Sequence, residues 1–477
     1  MLMLTVLLLL IPVLAGLVAL LTGSASAKSI ALGSSLLTLG LTLFSVLTYS
    51  APLGFDATWI DLLGARFTLS LDAGLSRLMV LLTALVYPLL YLAFTQRSVD
   101  RPGVFYGLLS LSQAGLMGVF MAQDALLFYL FWEVALIPVY FLSSMYGGER
   151  RIPVSFKFFV YTFLGSLVML VGMIIIYRHS ALRSFALTDF IAAGREFSGV
   201  EQQGLFWMLF LAFAIKMPIF PFHTWQPDAY EQSATPVTVV LSALMVKMGL
   251  FAVAVWLLPV LPLGSAYWSP IVMGLAVTGI VYASCMALVQ NNMKRVVAYS
   301  SIAHIGLMAA ALFSNSGIAT QGAYIQMFNH GITILGMWLL LSMIEERTET
   351  QNMNELGGIA SVAPRFTIAL VLIAFANIAL PLTNGFPGEF LMFTGLFSSG
   401  AANAHTLTVL AGLAVILSAA YTLWMVQKLV FGETNARTAS FRDLNTTELI
   451  SLSFILLLIL ALGIYPNAIL AWVPTAG

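Results

Sequence analysis

Stretches of about twenty apolar residues follow one another along almost the whole chain, and this constrains the fold more than any other feature. A run of that length crosses the roughly 30 Å hydrocarbon core of a bilayer as a helix. No other open structure serves there, because in lipid each backbone amide must find its hydrogen bond within its own segment. Such runs lie near 2–22, 30–50, 74–95, 103–121, 124–146, 154–177, 203–231, 236–258, 269–289, 295–314, 321–344, 366–396, 405–430 and 449–472. The expectation is therefore an all-α polytopic membrane protein with about fourteen transmembrane helices. Composition agrees, since 8% of the residues are charged, where ordinary globular chains carry about 25%.

The seventh and twelfth runs are long and interrupted by proline, at Pro218, Pro221 and Pro227 in one and at Pro381 and Pro387 in the other. Paired broken helices five spans apart are the mark of inverted repeats, because five helices reverse the orientation. The predicted organisation is a single integral membrane domain over 1–477, with helices 1–3 in 1–100 and a first five-helix repeat in 101–258. A second repeat follows in 265–432 and a last helix in 445–477. The N-terminal run has no positive n-region and is too long for a signal h-region, so it reads as the first span. With the N-terminus outside, thirteen lysines and arginines, among them Lys28, Arg97, Arg150, Lys294, Arg295 and Arg347, fall in inner connections. Five, Arg66, Arg77, Arg178, Arg183 and Arg195, fall in outer ones. The positive-inside bias thus places both termini on the outer side.

Net charge is zero, so nothing argues for nucleic acid as a partner. The single cysteine, Cys285, rules out a disulfide framework and any Cys-ligated iron–sulfur cluster in this chain. There is no pair of histidines per span for a haem, no nucleotide loop and no nucleophilic triad. No cofactor is expected to bind this chain.

A few charges stand deep in the apolar runs, where each is costly and marks a functional site by default. Glu133 in FWEVALIPVYFL is about nine residues, or roughly 14 Å, from Asp124. Lys216 in KMPIFPFHTWQPDAY comes at roughly 20 Å beside the break at Pro218, and Lys247 at roughly 16 Å past Pro236. Brought within reach, Glu133 and Lys216 would stabilise each other's charged forms, and their separation would switch whether a proton is held. Glu389 in NGFPGEF follows the second break. His304 in KRVVAYSSIAHIGLM and His330 in FNHGITILGMW lie at roughly 14 Å depth, and histidine suits a proton relay. Asp228, Glu231 and His223 crowd the first break, with too few oxygens for a hard-cation site.

These motifs in combination, over about residues 100–430, resemble the antiporter-like membrane subunits of respiratory complex I, most of all the M-type (chain 4 in mitochondria). The resemblance implies a glutamate–lysine pair in Glu133 and Lys216, a central lysine in Lys247, connecting histidines in His304 and His330, and a discriminating glutamate in Glu389. Glutamate there is usual for M-type subunits, and lysine for L- and N-type and sodium–proton antiporter subunits. Many relatives have histidine in place of Tyr230. It further implies a proton-translocating role without redox chemistry, in an energy-transducing membrane such as the bacterial plasma membrane. NAD, flavin, iron–sulfur clusters and quinone would sit on partner subunits. The lipid bilayer and neighbouring antiporter-like subunits would be this chain's own partners. A subunit of a multi-subunit sodium–proton antiporter is the alternative, and a scaffold with a vestigial polar axis a third possibility.

Overall fold

The computed structural model describes residues 3–23, 26–49, 51–71, 74–94, 99–401 and 403–473. Arg97 and the boundary residues Leu2, Ser50 and Thr95 of the expected spans lie outside these. Among the described residues twelve helices are long and apolar enough to cross a membrane. The two proline-interrupted segments add to these, which is consistent with the expected fourteen. Contacts divide the chain into two compact units, one of Met1–Pro218 with Gln232–Pro270 and one of Ile219–Glu231 with Ile271–Gly477.

The first unit holds α1 (Met3–Thr22), α2 (Ser26–Thr48), β1 (Leu53–Ile60), β2 (Ala65–Leu71), α3 (Leu75–Ala93), α4 (Pro102–Met121), α5 (Ala125–Tyr146), α6 (Arg151–His179), α7 (Leu187–Glu196) and α8 (Gly199–Lys216). After a short α9 (Gln226–Gln232), the chain returns to it with α10 (Thr235–Leu257). Helix ends are fixed by side-chain caps: Asp124 accepts from the amides of Leu126 and Leu127 at 3.0 Å each, and Ser198 with Glu201 forms a capping box at the start of α8. Asp124 also accepts from the Arg66 amide at 2.9 Å, which ties α5 to the β-hairpin.

That hairpin is the one departure from an all-helical chain among the described residues. β1 and β2 pair antiparallel, Leu53 opposite Leu71 and Thr58 opposite Arg66. Arg66 donates from Nε to Asp56 at 2.8 Å and Thr68 from its hydroxyl at 2.6 Å. These bonds hold the Asp56 carboxyl below its usual range.

Two packing details matter for the site. α3 is buried at every position from Leu75 to Tyr91, so it has no lipid face within the first unit. α10 is buried along most of its length and contains two π-helical turns, Val240–Met245 and Val253–Leu257. Such turns often accompany functional sites, because they rearrange the carbonyls of the helix.

The second unit takes in most of α9, the continuation of α11 (Pro262–Leu288), α12 (Met293–Phe313), α13 (Gly317–Thr348), α14 (Pro364–Asn377), α15 (Gly385–Phe397), α16 (Ala404–Val430) and α17 (Thr446–Ile464). Every position of α12 except Arg295 is buried, as is every position of α13 from Ile325 to Ile344. The second break, between α14 and α15, is clamped to α13. Asn329 donates to the Asn384 carbonyl at 2.7 Å, Asn384 returns a bond to the Asn329 carbonyl at 3.0 Å, and Thr333 donates to the Asn384 side chain at 3.1 Å. Backbone groups freed by the break are in this way satisfied inside the protein, the condition under which lipid tolerates a broken helix.

Candidate functional site

In the first unit α5 carries Glu133 and α8 ends on Lys216, just before the chain breaks at Pro218. Lys216 is 1% exposed. Its Nζ lies 5.5 Å from the Trp132 ring centre and 5.9 Å from that of Phe158, a cation–π setting that partly offsets desolvation. Among the described residues, neither that Nζ nor one carboxyl oxygen of Glu133 has a hydrogen-bond partner. The two groups interact electrostatically without forming a direct ion pair, and Ser166 stands beside the carboxyl. The expected pair is thus brought together but left apart at its charged ends.

Lys247 is fully buried on α10 and donates to the Ser242 carbonyl at 2.6 Å. That carbonyl belongs to the first π-helical turn. Two residues on, a side chain at Gly249 would meet the Phe213 carbonyl at 2.7 Å and the Met217 amide at 2.8 Å. Glycine there lets α10 approach the end of α8, which carries Lys216, backbone to backbone.

The second unit gathers the other three predicted residues. His304 Nδ1 and Glu389 Oε1 are hydrogen-bonded at 3.1 Å, both side chains 10% exposed. The His304 and His330 ring centres are 5.5 Å apart. Gly388, just before Glu389, packs closely on Gln326, whose Cβ would lie 2.9 Å from an added side chain. A narrow cavity beside His304 and Glu389 is also lined by Ser418 and Tyr421. A proton can be held on the imidazole or on the carboxylate and exchanged between them, the arrangement general acid–base chemistry needs.

The site includes groups that sequence reasoning missed. Arg295, counted above only as an inner-side charge, donates to Asp228 at 2.6 Å and to Glu231 at 2.7 Å. Asn292 donates to Glu231 at 3.1 Å. The carboxylates of the first break are therefore neutralised by α12. Nothing local signals this, since the partners are 64 and 67 residues apart. Around His304, Tyr421 and Asn377 each donate to the Ser300 hydroxyl at 3.1 Å. His223 sits on the break against the rings of Phe220 and Tyr282. His179 stacks on Phe197 with ring centres 4.0 Å apart, and His405 meets Phe397 edge to face at 4.5 Å.

Residues 122–416 match the model of the NADH:quinone oxidoreductase/Mrp antiporter transmembrane family. The chain belongs to this family. Subunit M of the F420H2 dehydrogenase of Methanosarcina mazei is 35% identical over 449 residues, covering 91% of this chain and 89% of the relative. Subunit M of the NADH-quinone oxidoreductase of Rickettsia typhi is 35% identical over 449 residues, covering 92% of this chain and 89% of that one. Among solved structures, a chain of respiratory complex I from Thermus thermophilus with bound NADH superposes with a TM-score of 0.91 at 30% identity. The match covers 98% of this chain and 97% of that chain. The resemblance to complex I antiporter-like subunits of the M type therefore holds on fold and on sequence. Glu133, Lys216, Lys247, His304, His330 and Glu389 all fall within the matched residues 122–416.

Proposed function

We propose that this chain is the proton-translocating membrane subunit of a respiratory NADH:quinone oxidoreductase-type complex. Quinone reduction on other subunits drives proton transfer through Glu133, Lys216, Lys247, His304, His330 and Glu389. The observation that carries this is Lys216, 1% exposed and without a hydrogen-bond partner among the described residues, within electrostatic reach of Glu133 but not paired with it. A lysine so placed binds or releases its proton according to how near the carboxylate stands. Moving one proton against about 150 mV costs roughly 3.5 kcal/mol. A shift of a few pKa units, each about 1.4 kcal/mol, supplies that. That the two clusters act in series is part of the proposal.

The chain does no redox chemistry of its own in this reading. NAD, flavin, iron–sulfur clusters and quinone belong to partner subunits, with other antiporter-like subunits as neighbours in a bacterial plasma membrane and both termini outside. The two relatives are named for different electron donors, F420H2 and NADH, at the same 35% identity. The proposed role is the membrane step that both share. The test is Glu133→Gln and Lys216→Met in assembled complex, with assembly checked on blue native gels. Pumping is expected to fall in both, and wild-type pumping in both would defeat the proposal. The family also covers Mrp antiporters, and a sodium–proton antiporter subunit is the alternative. Co-purifying flavin and iron–sulfur subunits favour the respiratory reading, whereas only small membrane subunits would favour antiport.

A further inference from the structure

The mechanism above leaves unused a ladder of buried hydroxyls between α3 and α4. Tyr91 OH lies 3.3 Å from Ser110 Oγ and Tyr87 OH 2.6 Å from Ser112 Oγ. The Tyr106 ring stands 5.8 Å from that of Tyr91. On α4, Tyr106, Ser110 and Gln113 fall on one face at helical spacing. Gln113 is 0% exposed, and neither end of its amide has a partner among the described residues; the Tyr106 hydroxyl has none either. Leaving a buried donor or acceptor unsatisfied is costly, and water is the group that commonly satisfies such an amide in a polar interior.

α4, which carries Gln113, packs against Val246–Ala252, the part of α10 that holds Lys247. Phe120, two turns beyond Gln113 on α4, packs on Phe251 of α10 with ring centres 5.2 Å apart. Phe251 is one turn beyond Lys247. Both helices run in the same direction, so Gln113 stands about 4 to 5 Å nearer the start of the helices than the Lys247 backbone. The Lys247 ammonium itself reaches back to Ser242, toward that level. α3, which supplies Tyr87 and Tyr91, packs against the same π-helical turn, Val240–Met245. The ladder thus rises from the end where α4 begins, the inner end by the charge bias, to the depth of Lys247.

We propose that this ladder, ending at Gln113, is a hydrated proton path between the inner face and Lys247. The proposal rests on the proton-translocating reading. Each hydroxyl or water accepts one proton as it passes on another, so the path carries one positive charge during transfer and is neutral between transfers, without any redox partner.

The test uses assembled complex in inside-out vesicles with Cys285, the single cysteine, replaced by serine. Ser110→Cys and Gln113→Cys are expected to react with methanethiosulfonate ethylammonium added to the inner side about tenfold faster than Leu164→Cys on the lipid face, because only a hydrated thiol ionises. Labelling is read from the mass of this subunit. Gln113→Leu is expected to lower the proton-to-electron ratio, and Gln113→Asn, which keeps the amide, to restore part of it. Should Gln113→Leu fail to assemble, Tyr87→Phe tests the same path. Labelling no faster than at Leu164→Cys would overturn the path. Fast labelling together with wild-type pumping in both Gln113→Leu and Lys247→Met would uphold the path and overturn instead the reading on which it rests.

Discussion

Lys216 and Glu389 represent the two ways in which this chain keeps an ionisable group in apolar surroundings. Lys216 is held against Trp132 and Phe158 with its carboxylate partner apart, whereas Glu389 is bonded directly to His304. The two therefore respond differently to substitution. Glu389→Gln keeps an acceptor for His304 and is expected to assemble normally while pumping falls. Glu389→Ala also strands a buried imidazole nitrogen, and melting of the solubilised complex should show an added loss of about 1–3 kcal/mol. Equal thermal stability of the two variants would contradict the hydrogen bond. All six residues were legible in the sequence because a charge or an imidazole stands out in an apolar run. The Arg295 cluster and the Tyr87–Ser112 ladder were not. The first joins residues more than sixty positions apart, and the second uses hydroxyls, which do not interrupt a hydrophobic run as a charge does.

At the scale of elements, the breaks and close crossings set where these groups stand. Arg295 at the start of α12 holds the first break through Asp228 and Glu231. Its side chain is 24% exposed, so Arg295→Ala should cost less than a fully buried pair, about 2–3 kcal/mol, seen as an earlier thermal melt. Glycines mark the crossings. A side chain at Gly115 would meet the Ala135 amide at 2.5 Å, next to Glu133 on α5, whereas Gly204 on α8 has open space around it. Gly115→Leu should destabilise by at least about 1–3 kcal/mol and shift Glu133. Gly204→Ala should be neutral or stabilising by about 0.5–1 kcal/mol. If both proved neutral, α4 and α5 would not be in backbone contact. The helices were legible from length and hydropathy, and both breaks from proline. The hairpin was not, although ARFTLSL alternates with period two, because one short alternating segment beside turn residues also reads as a loop. No residue type in VLSALM announces a π-helical turn.

The whole molecule, which belongs to a family of membrane subunits, has two compact units, each carrying one cluster of buried ionisable side chains. The clusters differ in chemistry, one built on lysines and the other on histidines and a carboxylate. Removing either should uncouple the complex without removing its electron-transfer machinery, which lies on other subunits in this account. The most direct measurement is the proton-to-electron ratio of assembled complex reconstituted in vesicles, compared for the wild type, Lys216→Met and Glu389→Gln. The account predicts a lower ratio for each variant. A wild-type ratio in both, at wild-type rates of quinone reduction, would contradict it.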